Sequence, residues 1–245
     1  MPQNPSAAND RSKFRVNINP KKLAWKLEAI TFILALVSLS VRYLKFTAPT
    51  DNMAGLISVV DMDTELSIPS IYAFILLFIA AALLVLIAAH KKQAQARYAA
   101  QWYVLAAGFA FMAFDEGASI HELLMAPMGR LLGGSQPGIF YFTWIVPALA
   151  GIALLGLFFA RFIIDLPAKT RRAFLLGAAL YLGGAVGFEM LGGELASAEG
   201  VKNFGFSMLS TIEELLELSG TIVFISALLA YIREQFQTVL INVNR

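Results

Sequence analysis

The sequence predicts an all-α protein, a polytopic integral membrane bundle of about six transmembrane helices. Three observations predict it. Of 245 residues, 58% are hydrophobic and only 15% are charged, and the mean hydropathy is +0.67; these values suit a membrane protein and exclude a soluble enzyme. The apolar residues are gathered into six runs, each about 18 to 24 residues long and sufficient to cross about 30 Å of hydrocarbon. Basic residues collect at alternate ends of those runs, the pattern left when one side of the membrane faces the cytoplasm.

Residues 1–24 form a polar tail that contains Pro2, Pro5 and Pro20 and lacks an apolar stretch before a small-residue cleavage site. A signal peptide is therefore not expected, and the first span is expected to remain as an anchor. Spans are expected near 25–45, 68–89, 101–124, 138–159, 174–191 and 209–232, so that 25–232 is one transmembrane domain followed by a tail, 233–245. The third, fifth and sixth spans carry acids that lower their hydropathy and blur their ends, which leaves five spans as the alternative count. Between the first two spans, Met53 to Leu66 is apolar but holds Asp61, Asp63 and Glu65, and is expected to lie as a short helix over the mouth of the bundle. Pro147 is expected to kink the fourth span. Gly183 and Gly187 form a GxxxG in the fifth, and Gly177, Gly184, Gly192 and Gly193 extend its small-residue character, which favours close helix packing and offers a seam for a homo-oligomer. Trp102, Tyr103, Tyr141 and Trp144 read as interfacial anchors.

Orientation follows from the basic residues. Arg11, Lys13, Arg15, Lys21, Lys22 and Lys26 precede or open the first span, Lys91, Lys92 and Arg97 follow the second, Arg161, Lys169, Arg171 and Arg172 follow the fourth, and Arg233 and Arg245 follow the sixth. The other side has only Arg42, Lys45, Arg130 and Lys202. Both termini are expected in the cytoplasm of a bacterial-type inner membrane, and the net charge of +2 reports topology and gives no reason to expect nucleic acid as a partner.

Seven acids fall inside these apolar runs: Asp115, Glu116 and Glu122 in the third, Glu189 in the fifth, and Glu213, Glu214 and Glu217 in the sixth. A carboxylate in hydrocarbon costs several kcal/mol unless it is protonated, paired or bound to a cation. At about 1.5 Å per residue, the expected topology sets all seven in the outer half of the bilayer. On continuous helices, Asp115 shares a face with Glu122 and Glu213 with Glu217, while Glu116 and His121 point elsewhere and Glu214 falls between faces. Asp115, Glu122, Glu189, Glu213 and Glu217 are the leading candidates for a common site, with His121 and Glu214 next.

Structural explanations compete with a site. Glu213 and Glu214 follow Ser210 and Thr211 in an arrangement close to a capping box at the start of the sixth span. Arg42 and Lys45, at the outer end of the first span, are candidate ion-pair partners, although two cations cannot balance the set. Glu189 and Glu194 could lie above the lipid boundary.

Cys is absent and there are only two histidines, so iron–sulfur clusters and covalent haem are excluded. His90 stands beside Lys91 and Lys92 at the opposite end from His121, which speaks against a bis-histidine haem; a three-histidine zinc hydrolase of the alkaline-ceramidase type cannot be built. Many carboxylates with one imidazole suit a divalent metal such as Fe, Mn or Ca. The residue types and bundle setting resemble those of ferritin-like di-iron proteins, but Glu-x-x-His is missing because Ala118 stands three before His121. The leading expectation is a carboxylate-rich divalent-cation site between the third, fifth and sixth spans, serving transport. The alternatives are a metal-dependent oxidoreductase acting on a lipid or quinone, a proton-coupled carrier, and an accessory subunit whose acids satisfy a membrane-complex partner.

Overall fold

A computed structural model describes residues 18–47, 53–134 and 136–236. Pro2, Pro5, Arg11, Lys13, Arg15 and Arg245 lie outside the described residues. Every regular element among the described residues is helical: α1 (Pro20–Thr47), α2 (Met53–Val60), α3 (Ile68–Gln93), α4 (Ala99–Ala118), α5 (Met125–Leu131), α6 (Ile145–Asp165), α7 (Ala168–Leu182), α8 (Glu189–Glu199) and α9 (Phe204–Gln235). A π-helical turn, Gly183–Phe188, joins α7 to α8 into one long helical run. Among the described residues, five helical runs are long and apolar enough to cross a membrane, or six if α4 and the segment His121–Leu131, bent from it by 82°, form one crossing.

Helix ends follow local chemistry. The Ser67 side chain accepts from the Ser70 amide to open α3, with Pro69 in the first turn where no amide donor is required. Asn203 caps α9 by accepting from the Phe206 amide. Because α9 begins at Phe204, Glu213 and Glu214 stand well inside it, and the capping-box reading of Ser210 and Thr211 fails. The fourth span starts at Ile145 rather than 138, which puts Pro147 in the first turn; the expected kink is therefore absent. That helix stops at Asp165 because Leu166 precedes Pro167 and takes an extended conformation.

α9 lies at the centre, packed against α1, α3 and α7, and α3 pairs along α4. Contact between α7 and α9 depends on glycine: a Cβ on Gly220 would stand 2.6 Å from the Tyr181 amide nitrogen and 2.7 Å from the Gly177 carbonyl, and one on Gly184 would stand 2.6 Å from the Glu213 carbonyl. Gly183 and Gly187, the expected packing motif, instead face open space. Near the end where α3 and α9 finish, Trp102 is 1% exposed and meets Phe162, Phe174 and Tyr231. Trp102 is thus core and no interfacial anchor. His90 is exposed at this same end, its ring tilted against that of Phe236 at 4.1 Å.

Candidate functional site

The opposite half of the bundle contains a cavity of about 300 Å³. All seven acids singled out in the sequence line it, together with His121 and with Asp63 and Glu65 from the α2–α3 loop. Among the described residues, nine carboxyl groups therefore surround one space, and neither Lys nor Arg lines it. The acids come from the α2–α3 loop, α4, the His121–Leu124 3₁₀ turn, α8 and α9, while Ser70 of α3, Trp144 just ahead of α6 and Tyr181 of α7 complete the lining.

The third span reaches the cavity by breaking. Ser119 adopts a left-handed conformation (φ 41°) that ends α4, and the chain turns into the 3₁₀ segment His121–Leu124. Asp115 holds this turn: one carboxylate oxygen accepts from the His121 backbone amide at 2.8 Å, and the other meets His121 Nδ1 at 2.8 Å. The expected alignment of Asp115 with Glu122 on a continuous helix is therefore overturned, as is the expectation that His121 points away. Glu122 still borders the cavity, but from the turn. The Ser119 hydroxyl donates to Glu65, which ties the break to the α2–α3 loop.

Glu189 is placed by the π turn just before it. The extra residue in such a turn shifts the phase of everything downstream by about 100°, so a simple helical count misplaces this side chain. Trp144 Nε1 donates to Glu189 at 3.1 Å, and the Trp144 ring lies 4.7 Å from that of His121. Trp144 is thus part of the site and no interfacial anchor. Glu213 borders the same space as Glu189, and Tyr181 lines it together with Glu217. Glu213 and Glu217 share a face of α9 as expected; Glu214, expected between faces, borders the cavity as well.

Arg42 does not neutralise the seven acids. It pairs with Asp61 and, at 3.5 Å, with Asp63, and donates to Ser207 at 3.3 Å. Asp61 is enclosed, its side chain 3% exposed, and also accepts from Ser38 and Thr64. Lys45 is exposed and forms no ion pair among the described residues. Asp63 keeps 40% of its side-chain exposure, toward the cavity it borders. Burial among protein atoms pushes it up to about 6, against the pull of Arg42 and with the help of Asp61.

The donor set is chemically suited to hard cations. Its placement does not fit a preformed metal centre, because no three His, Asp or Glu side chains among the described residues converge so as to hold one ion. Asp115 and Glu189 are instead engaged by His121 and Trp144, and Tyr181 stands beside Glu217. Sequence reasoning missed Trp144 and Tyr181, whose roles depend on tertiary placement. Asp63 and Glu65 carried a signal in the sequence, two acids in an otherwise apolar connection, that could have found them.

Residues 27–232 match the model of a family described as Domain of unknown function (DUF8692), and the chain belongs to that family. No curated protein and no solved structure matches the chain.

Proposed function

We propose that this membrane protein binds a cation as exchangeable cargo in the acid-lined cavity, and that the cation trades places with protons on the carboxyls of α4, α8 and α9. One observation carries this reading: among the described residues, nine carboxyls and no Lys or Arg border a single space inside an apolar bundle. Two like charges about 4 Å apart at an effective dielectric near 20 repel by about 4 kcal/mol. Nine such groups therefore keep charge only as cations enter, and otherwise hold protons between them. His121 against Asp115 and Tyr181 beside Glu217 supply further sites between which protons can move.

The cargo is an ion held by carboxylate oxygens, such as Ca²⁺ or Mn²⁺, and the acids leave their present partners to take it. A resident di-iron centre draws no support from donors that do not converge. The charge pattern at the other end supports an assignment in which both termini are cytoplasmic and the cavity opens outward across a bacterial-type inner membrane. This arrangement suits capture from outside.

Titration calorimetry on the detergent-purified full chain with Ca²⁺ and Mn²⁺, at about pH 6 and about pH 8, tests the reading. Saturable binding of at least one ion is expected, tighter at the higher pH because fewer protons compete, and weakened roughly tenfold or more by Glu213→Gln with Glu217→Gln. Absence of binding at both pH values, or affinity indifferent to these substitutions, overturns it.

A further inference from the structure

At the end remote from the acids, a second cavity of about 360 Å³ runs between α1, α7 and α9. Its α9 wall is Val223, Ser226, Ala227, Ala230 and Arg233, spaced so that all return to one helical face. Ala24 and Ala173 complete an apolar floor of small side chains, and Lys21 stands with Arg233 at the mouth. Both cations are exposed and neither forms an ion pair among the described residues. From Arg233 to Val223 is ten residues, a rise of about 15 Å, which is half of a hydrocarbon core of about 30 Å. The groove thus has the depth of one leaflet, mostly apolar along its length and doubly positive where headgroups lie.

We propose that this groove binds one anionic phospholipid, its phosphate between Lys21 and Arg233 and an acyl chain along the Val223–Ala230 face. Charge complementarity selects the headgroup; small side chains leave the tail its channel. The site is separate from the acidic cavity, and the inference does not rest on cation exchange there.

Native mass spectrometry on the full chain, equilibrated with equal amounts of phosphatidylglycerol and phosphatidylcholine in mixed micelles, tests it. Wild type is expected to retain phosphatidylglycerol in preference. Lys21→Gln with Arg233→Gln is expected to abolish the preference, while Lys21→Arg with Arg233→Lys keeps it and shows that the fold survives. Ser226→Leu with Ala230→Leu fills the groove and is expected to lose the bound lipid, whereas Lys91→Gln with Lys92→Gln, at the same end but outside the groove, changes nothing. Equal retention of the two lipids by wild type, or a preference that survives loss of both cations, overturns the proposal. So does photo-crosslinking from position 230 that captures residues 1–17 of the chain itself in place of lipid.

Discussion

Arg42 ties α1 to the α2–α3 loop and to α9 through Asp61, Asp63 and Ser207. Removing it leaves the enclosed Asp61 carboxylate with only Ser38 and Thr64, and breaking a buried pair on one side costs about 3 kcal/mol or more. Arg42→Ala is therefore expected to lower the thermal midpoint in detergent clearly more than Asp61→Asn, and equal midpoints for Arg42→Ala and wild type would contradict the role. Asp63 gives a pH dependence of definite sign. Its folded value near 6 lies above the ordinary 3.8, so the folded chain holds this proton more tightly than the unfolded one does. Its contribution to stability is complete below about 3.8 and is lost as pH rises through about 6. Asp63→Asn should flatten that part of the midpoint-versus-pH curve; a curve of unchanged slope would sink the assignment. At this scale the acids were legible because ionisable residues stand out in apolar runs. Trp144 and Tyr181 were not, since the residue type that anchors a helix at an interface is the same one that donates to a buried carboxylate.

Among elements, the spans were legible wherever hydrophobicity was continuous, and their irregularities were not. The break at Ser119 depends on the Asp115 carboxylate accepting from an amide and a ring nitrogen six residues ahead, a tertiary trade that a hydrophobic run conceals. The π turn before Glu189 leaves the helix outwardly continuous while changing which side chains face the cavity. Glycine spacing misled for a related reason: Gly183 and Gly187 satisfy the motif, yet Gly177, Gly184 and Gly220 make the contact. Gly220→Ala forces its Cβ against backbone atoms of α7, which can yield only if the helices part. It is expected to destabilise by about 1–3 kcal/mol and, by shifting Tyr181 in the cavity wall, to weaken cation binding. Gly183→Ala and Gly187→Ala should change stability by less than about 0.5 kcal/mol. Thermal unfolding of the three variants side by side checks this, and equal losses in all three would refute the glycine contact.

Taken whole, the chain separates its charge by sign. Nine of its 17 acids surround one cavity, while most of the basic residues collect at the other end, where Arg97 meets Asp165 and Lys21 and Arg233 flank the second groove. The sequence disclosed this polarity through alternating loop charge and the shared depth of the acids, but could not disclose that three separate stretches and a loop enclose one space. Toward the other face, Glu28 accepts from Ser219 at 2.9 Å. Cation binding that releases protons is the property this architecture is proposed to serve. Proton release is most directly measured with a pH-indicator dye in weakly buffered detergent solution as Ca²⁺ or Mn²⁺ is added to the full chain. Protons should appear in step with saturation of the cation site, and their number should fall in Glu213→Gln with Glu217→Gln. Saturable cation binding with no proton released would contradict the exchange, because it would mean that the carboxyls are already charged and balanced before the cation arrives.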